Sequence, residues 1–536
     1  MVFFSGCEDL SEDPRANITQ VSYFKTPEEL EGTLAAMYRM IAEDDGWGQI
    51  TFTAPYFGAD DLSTHPASNK ADVREFDRME GSAGNGSLSG NTWTSTYKAV
   101  YQANAILTVI DQVKFTNDAQ KNGAVGQAYF MRALMYFYLV RTFGPIPIVI
   151  ETTDVSEKLN REPVESVYTL IIDDLKQAET LLPETWGVQA GKATKYAAKA
   201  LLADVYLNSA GHPLNQTANY ALAAAKAKEV IDSHQYTLVP NYGDVFKTNN
   251  NSESIFALQY NYGQGVRRRS VGQFAVSEDE ASIKGQTGWN DFCAEVNFYK
   301  NAPKCERTDE TFLTILKTQW SPGDSINPDG TPELENGKPV PKAKVDTLGA
   351  WDDLKTVTQH PYYKKYRYGV AAPGTTMGDA VKETDTQILE INNSSDKTLD
   401  IIRYATVLLN YAEASAMAGS PTADSYNAIN QVRFRAGLPD LTPGLSQTAF
   451  RDSVVHERAY ECAAELGIRW FDIVRLKLLP QVIAARETGE YQVNQYWENK
   501  LNPTFTAPNM LETRYLAPIP NSQMLRNPHW TQNAGY

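Results

Sequence analysis

The feature that most constrains the fold is a series of alanine-rich helices that follow one another in pairs. Residues 195–206 and 220–231 each carry Tyr or Leu at helical spacing among runs of Ala. Small side chains on the inner face let two helices approach closely, while the larger ones fill the gaps between them. Two late segments, about 401–418 and 424–436, repeat the pattern. The chain is therefore expected to build its core from packed helix pairs.

Further helices are predicted before this repeat. The first starts at Pro27 with Thr26 as its cap, because Pro at the first position and acidic residues in the first turn favour a helix start. Its apolar face repeats at helical spacing and consists of Leu30, Leu34, Met37 and Ile41. Regular spacing returns at Trp93, and a partner helix is predicted over roughly 120–142.

Two long stretches break the helical pattern. Residues 43–91 hold Gly, Asp, Ser and Asn with scattered aromatics, and residues 240–395 add Pro and short strand-like runs such as 254–260. The second stretch is too long for a connector and predicts a second lobe. The helix pairs recur near the 34-residue period of tetratricopeptide arrays, without their full consensus. The predicted fold is therefore mainly α, a tetratricopeptide-like helical-pair scaffold with a large irregular, loop-rich lobe containing short strands.

The amino terminus carries a lipoprotein signal pattern. It reads Met-Val-Phe-Phe-Ser-Gly-Cys, an apolar run that ends in small residues and Cys7 and is followed by acidic chain. This is similar to the end of a lipoprotein signal peptide, after whose cleavage acyl chains on the cysteine anchor the protein. The apolar run is short for a complete signal peptide, so the true start is expected upstream, or the chain is clipped. An ordinary terminus with a buried Cys7 is the alternative.

These patterns divide the chain into successive parts. They are a signal-peptide remnant (1–6), a lipidated tether (7–25), an N-terminal helical part with the ligand-facing loop 43–91 (26–240), a variable loop-rich lobe (241–395) and a C-terminal helical part (396–536). No other apolar run approaches the roughly 18 residues that a membrane-spanning helix needs.

The composition argues against several classes of function. A formal net charge of -16 repels phosphate backbones, so nucleic acid is not an expected partner, and the basic run 267–269 is too short to reverse this. The sequence holds no HExxH, GxSxG, GxxxxGK[ST] or GxGxxG motif. No catalytic residue and no cofactor are therefore predicted. Paired carboxylates are the remaining route to a glycosidase, and Asp44 with Asp45 and Asp60 with Asp61 are adjacent acids in the first loop region, although sequence neighbours rarely form an acid and base pair.

The cysteines indicate no metal site. None of the four forms a CxxC pair, and no His lies near enough in sequence to complete a zinc ligand set. Cys293 and Cys305 form either a disulfide in an oxidising compartment or two buried thiols.

Four blocks of sequence carry a resemblance to a known family. The first is an aromatic helix that stops at Gly144 and continues through two prolines. The blocks are 129–147, 409–414 with 429–438, 456–461 with 467–475, and the tail segments 515–520 and 527–536. In this order they resemble the SusD/RagB family of nutrient-binding outer-membrane lipoproteins, from Cys7 to the final Tyr536. The blocks themselves predict scaffold: Arg469, Trp470, Asp472 and Arg475 are expected in a packed, salt-bridged helix.

The resemblance implies a helical half and a variable half. It also implies a lipid-anchored protein of the outer membrane of a Gram-negative cell, facing the exterior. Such proteins cap a SusC-like TonB-dependent transporter and deliver oligosaccharides to it, or in some members peptides. We therefore expect a non-catalytic carbohydrate-binding protein. A peptide-binding member of the family and a glycoside hydrolase are the alternatives.

Sugar recognition combines a flat apolar face with groups that bind hydroxyls. The resemblance implies a site in the loops after the first helix and in the variable half. The candidates by residue type and placement are Asp45, Trp47, Asp61, Arg74 and Trp93 in the first loop region and Trp289, Arg367 and Tyr368 in the variable half. For each Trp the alternative is a buried anchor, and for Arg74 it is a surface ion pair.

Overall fold

The protein was analysed as a computed structural model. The structure describes residues 25–43, 46–64, 68–81, 87–151, 159–261, 265–266, 268, 291–313, 315–324, 331, 334–335, 338–339, 341–347, 361–366, 395, 397–488 and 501–536.

Most of the regular structure in these residues is helical. The helices are, in chain order, α1 (Pro27–Ala42), α2 (Ala71–Asp77), α3 (Ser87–Val109), α4 (Asp118–Phe143), α5 (Val164–Leu181), α6 (Lys195–Ser209), α7 (Asn219–Asp232), α8 (Asp244–Lys247), α9 (Val296–Lys300), α10 (Glu306–Thr311), α11 (Tyr404–Ala418), α12 (Ala423–Arg435), α13 (Gln447–Glu461), α14 (Ile468–Arg475), α15 (Leu479–Thr488), α16 (Pro503–Thr506), α17 (Pro508–Leu511) and α18 (Asn521–Arg526). The strands are β1 (Ser63–Thr64), β2 (Ser254–Leu258), β3 (Phe292–Cys293), β4 (Phe312–Leu313), β5 (Ile315–Asp324), β6 (Leu334–Glu335), β7 (Lys338–Pro339), β8 (Pro341–Thr347), β9 (Tyr362–Tyr363) and β10 (Leu399–Arg403).

Helix α1 begins where the sequence predicts it. The Thr26 hydroxyl accepts a hydrogen bond from the Glu29 backbone N–H, and the Glu29 carboxylate accepts one from the Thr26 backbone N–H at 3.0 Å. This reciprocal capping box satisfies two backbone donors that a helix start leaves open. The predicted apolar face is buried and consists of Leu30, Leu34, Met37 and Ile41.

The helices pack in pairs along the chain. Helix α4 packs against α3 and α5, and α6 packs against α5 and α7. Helix α11, from the late part of the chain, packs on α7 as well as on α12 and α13. The inner face of α6 buries Ala197, Ala200 and Ala203, which permits the close approach that the repeat predicted. The prediction of a mainly α, helical-pair scaffold is confirmed.

The aromatic helix α4 runs through the middle of this core and ends at Gly144. This glycine has φ +70°, and a Cβ at its position would lie 2.7 Å from Leu516 Cδ1. Glycine is therefore favoured here for two reasons: it adopts positive φ without strain, and its lack of a Cβ leaves room for Leu516.

The first loop region, 43–91, is more regular than the sequence predicts. It contains a 3₁₀ helix over Ile50–Tyr56, the short helix α2 and the start of α3, which begins at Ser87 and not at Trp93. Apolar side chains such as Phe52 are fully buried. Such short segments are enclosed on several sides, so tertiary packing holds them without the apolar periodicity that marks an amphipathic helix.

The predicted helix over 401–418 begins three residues late. Residues 399–403 instead form β10, which pairs antiparallel with β2, and the helix starts at Tyr404. The strand predicted over 254–260 is present as β2 and ends at Leu258. The predicted boundaries of the loop-rich lobe at 241 and 395 stay predictions.

The described strands form two-stranded antiparallel pairs. The pairs are β1 with β3, β2 with β10, β4 with β9, β5 with β8, and β6 with β7. Cys293 lies in β3, and no disulfide joins it to Cys305. Both cysteines are therefore free thiols, but only Cys293 is buried as that alternative expected, and Cys305 is half-buried.

Candidate functional site

Two of the predicted ligand-binding tryptophans lie inside the core. Trp47 is 2% exposed, and its ring meets Phe52 edge to face at 4.6 Å and Tyr138 at 4.9 Å. Trp93 is 4% exposed and meets Phe143 edge to face at 5.1 Å. A ring enclosed on all sides presents no face to a sugar. The assignment of Trp47 and Trp93 to a ligand surface is corrected accordingly, and both are the buried anchors that formed the alternative.

Asp61 is also internal, with 3% of its surface exposed. Its Oδ2 accepts a hydrogen bond from the Ala464 backbone N–H at 2.7 Å. Burial raises the pKa of this carboxyl group from 3.8 to about 7. The neighbouring acid, Asp60, accepts two hydrogen bonds from Arg469 at 2.6 and 2.7 Å. Both acids thus join the first loop region to the C-terminal part, and Asp61 is not placed to bind a solute.

Arg74 differs from these three candidates because its side chain is only half-buried, on α2. Within the described ranges its guanidinium forms neither an ion pair nor a hydrogen bond. The surface ion pair expected as its alternative role is therefore not found there. A cation in this state can donate up to five N–H groups to a ligand.

The other candidates lie outside the described residues. They are Asp45, Trp289, Arg367, Tyr368 and the lipidation candidate Cys7.

The structure does describe chain within two positions of Trp289, Arg367 and Tyr368. Residues 61–64 and 68–70 of the first loop region, residues 291–294 and residues 361–366 meet in one place, which we term the junction. Trp289 precedes the second of these segments by two positions, and Arg367 follows the third directly. The described residues next to these predicted ligand contacts, 291–294 and 361–366, therefore lie against the first loop region.

Backbone and side-chain hydrogen bonds hold the junction together. Strand β1 of the first loop region pairs with β3. The Ser68 hydroxyl donates to Asp291 Oδ1 at 2.7 Å, and the Tyr363 hydroxyl donates to the backbone carbonyl of Asp61. These donors and acceptors are buried, so the bonds are expensive to break and fix the register of the three segments.

Behind the junction lies a buried ionic cluster that sequence reasoning missed. Arg403, the last residue of β10, donates to Glu253 at 3.1 Å, to Glu461 at 3.0 Å and to Glu465 at 2.9 Å. Burial by itself raises the pKa of Glu461, yet Arg435, Arg403 and Arg307 hold it below its usual value. The ionised form of Glu461 is therefore favoured inside the protein, whereas burial raises the pKa of Glu253 in the same cluster.

The ionic cluster also reaches the variable segments. Lys365 of the junction donates to Glu465 at 2.7 Å, and Arg307 of α10 donates to Glu457 at 2.5 Å. A sequence signal existed, because Glu457, Glu461 and Glu465 recur every four residues. Like charges at this spacing are unfavourable on a solvent-exposed helix face, so the pattern indicates buried cationic partners.

A second buried ionic cluster lies around α14. Arg458 donates to Glu413 at 2.8 Å and to Asp472 at 3.0 Å, and Arg475 binds the same two acids at 2.6 Å each. Trp470 is buried beside them. The prediction of a packed, salt-bridged helix at this position is confirmed.

The turn between α13 and α14 connects the junction to the scaffold. Three of its residues have positive φ, namely Ala464 (+60°), Leu466 (+48°) and Gly467 (+75°). Leu and Ala adopt this region rarely, at a cost of roughly 1–2 kcal/mol each. The Tyr366 hydroxyl donates a hydrogen bond to the Ala464 carbonyl at 2.7 Å. The backbone N–H of the same residue donates to Asp61 Oδ2. Contacts from the junction thus stabilise a strained turn.

The described residues bring together no group of three or more His, Cys, Asp or Glu side chains that could hold a metal ion. A search of the same residues for a helix with the length and apolar character needed to cross a bilayer is also negative.

Two family models match the chain. Residues 10–207 match a SusD-like family described as starch-binding and associating with the outer membrane. Residues 349–536 match the SusD family.

Individual relatives align over most of their length. The SusD-like protein P2 of Formosa agariphila is 28% identical, over 99% of this chain and 97% of the relative. The starch-binding protein SusD of Bacteroides thetaiotaomicron is 25% identical, over 80% of this chain and 75% of the relative. The crystal structure of a SusD superfamily protein from Parabacteroides distasonis has a TM-score of 0.74 and 26% identity, covering 95% of this chain and 99% of that one.

Proposed function

The chain belongs to the SusD/RagB family, and from this premise we propose that it captures oligosaccharides at the cell surface without cleaving them. The captured glycan passes to a SusC-like TonB-dependent transporter. The description of one matching family as starch-binding and associating with the outer membrane, and the starch-binding name of one relative, support this proposal.

The observation that carries the proposal is the junction. A non-catalytic binding site needs several chain segments held in a fixed arrangement, and hydrogen bonds hold three of them together here. Arg74 adds a half-buried guanidinium that can donate to a ligand. We place the ligand beside this arginine, with Asp45, Trp289, Arg367 and Tyr368 as further contacts.

The proposal of binding without cleavage agrees with the roles of Asp60 and Asp61, the pair of adjacent acids that the structure describes; the pair at 44–45 lies outside the described residues. Asp60 is held by Arg469, and Asp61 is buried against Ala464. Neither is placed to act as the acid or base of a glycosidase, which must face the bond to be broken.

We further propose that acyl chains on Cys7 anchor the protein in the outer membrane. Two or more chains would make release slow, because each buried methylene contributes about 0.8 kcal/mol. Cells grown with labelled palmitate are expected to label the full-length precursor and not its Cys7→Ala variant. Label that persists in the variant contradicts the anchor.

Isothermal titration against a panel of oligosaccharides tests the binding function. Removing a stacking ring, in Trp289→Ala or Tyr368→Ala, is expected to weaken binding by about two- to tenfold. Arg526, exposed at the end of α18, supplies the control. Arg526→Ala should bind as the parent does.

Two outcomes would redirect the proposal. Binding of peptides together with no binding of any glycan would favour the peptide-binding alternative. Chromatography after prolonged incubation should return the oligosaccharide intact, and progressive release of shorter products would favour a hydrolase.

A further inference from the structure

Helix α2 carries three basic residues along one face. Lys70 directly precedes the helix, Arg74 lies in its middle and Arg78 directly follows it, and each is half-buried. Their four-residue spacing places them on one side of the helix, about one turn apart.

The two outer residues have acidic partners within the protein. Lys70 Nζ lies 3.6 Å from Asp291 Oδ2, and Arg78 Nη2 lies 2.6 Å from Glu80 Oε2. Arg74, between them, has no such partner in the described part of the chain.

The acids around Arg74 are engaged elsewhere. Asp77 accepts from Arg486 at 2.8 Å and from the Ser63 hydroxyl at 3.1 Å. Glu80 binds the Asn502 side chain at 2.9 Å as well as Arg78. Glu75 follows Arg74 directly but forms no ion pair with it. Among the described residues, Lys70 and Arg78 on either side of Arg74 thus have acidic partners and the Arg74 guanidinium has none.

This arrangement favours a negatively charged ligand over a neutral one. A half-buried guanidinium has lost part of its hydration, and an anion restores that interaction better than a hydroxyl group does. Hydrogen bonds between ionised partners are roughly twice as strong as neutral ones, and the guanidinium fork fits carboxylate and sulfate oxygens. Because the chain as a whole carries -16, attraction of an anion depends on such a local group and not on the overall field.

We propose that the glycan bound at the junction is acidic, carrying carboxylate or sulfate groups, and that Arg74 binds one of them. The inference rests on the proposed function and specifies its substrate class.

The test compares ligands that differ only in charge. Uronic acid oligosaccharides of several backbones are titrated into the full chain beside the same oligosaccharides with their carboxyl groups reduced to alcohols. Sulfated neutral oligosaccharides and their desulfated forms provide a second matched pair and separate the two sources of charge. We expect at least one acidic form to bind about tenfold or more tightly than its neutral counterpart, with an affinity that falls as salt is added.

Three variants locate the effect. Arg74→Gln is expected to remove most of the preference for the acidic form and to flatten its salt dependence. Arg74→Lys keeps the charge without the fork and should retain part of the preference. Arg526→Gln, the exposed control, should change neither. Thermal unfolding of each variant confirms that the fold is unchanged.

The possible failures are distinguishable. If neutral glycans bind as tightly as acidic ones, or if the preference survives in Arg74→Gln, the inference is overturned and the proposed binding function stands. If no glycan of either kind binds, both are overturned. Both are also overturned if acidic peptides bind and no glycan does.

Discussion

Asp61 shows how strongly burial can alter one residue. Its Oδ1 is buried without a hydrogen-bond partner, while Oδ2 accepts a single bond from Ala464. Asp60 faces it with a like charge and Arg469 with an opposite one, but burial is the largest influence and raises its pKa to about 7. The ionised form is therefore disfavoured in the folded protein, at the point where the first loop region meets the strained turn.

The variant Asp61→Asn tests this description. The pKa of Asp61 is higher in the folded than in the unfolded chain, so the folded state binds the proton more tightly. Its contribution to stability is fully present below about pH 4 and is lost as pH rises through about 7. Asn keeps an acceptor for Ala464 and cannot ionise. We expect the variant to be the more stable form above pH 7, by an amount on the order of a few kcal/mol.

Urea unfolding between about pH 5 and pH 8 measures this difference. Asp440→Asn is the control, because Asp440 is exposed. Its free energy of unfolding should follow that of the parent throughout. The description of Asp61 is wrong if Asp61→Asn shows the same pH dependence as the parent.

Helix ends and helix interiors place opposite demands on glycine. Gly144 ends α4 with positive φ and leaves no room for a Cβ beside Leu516. Gly32 lies within α1, and a Cβ there would meet no atom within 4 Å.

The same substitution should therefore have opposite effects at these two glycines. Gly144→Ala is expected to lower the free energy of unfolding by about 2 kcal/mol or more, through backbone strain and the clash. Gly32→Ala should raise it by about 0.5–1 kcal/mol, because alanine favours a helix interior. Chemical denaturation compares the two, and a stabilised Gly144→Ala variant would contradict the account of the α4 terminus.

The buried ionic cluster joins β10 to Glu253, directly before β2, to α13 and to the turn that follows α13. Replacing Arg403 by Met leaves Glu253, Glu461 and Glu465 short of positive charge in the interior. Such a change is expected to cost about 3–5 kcal/mol. On α1, the exposed pair of Arg39 and Glu43, 2.8 Å apart, provides the comparison.

The Arg39→Met variant should lose less than about 1 kcal/mol, because water screens its ion pair. Denaturant unfolding of both arginine variants gives the two values. Similar small losses in both would mean that Arg403 does not hold the elements together.

Contacts between distant parts of the sequence close the molecule as a whole. Helix α7 packs on α11, and Arg486 binds Asp77 at 2.8 Å. At the end of the chain the Asn533 amide donates to the backbone carbonyls of Phe143 at 3.0 Å and Ala517 at 2.7 Å. The N-terminal and C-terminal helical parts therefore share one core.

A fragment of residues 25–240 should consequently fail to fold on its own. It contains the predicted N-terminal helical part but lacks α11 and the C-terminal segments that cover it. We expect helical content by far-ultraviolet circular dichroism without a cooperative unfolding transition or a near-ultraviolet signal. The full chain serves as the reference, and a fragment that unfolds as cooperatively as the full chain would show that the two parts are independent.

Much of the helical scaffold was predictable because its signals are local. A capping box, a four-residue apolar spacing and runs of alanine act within a few turns of chain, and they correctly predicted α1, α6 and α7. The block around Asp472 was correctly interpreted as structural for the same reason, since its charges recur on one short helix.

The candidate site required the tertiary structure, because burial depends on residues far away in sequence. Asp61 meets Ala464 across 403 positions, and no local pattern announces that contact. The sequence by itself determined the helical scaffold, the family resemblance and the residue types from which a glycan site can be built. Only the tertiary structure decided that Trp47 and Trp93 fill the core, and that Arg74 has no acidic partner among the residues that the structure describes. Those outcomes depend on which distant side chains exclude water from each group and which supply its counter-charge.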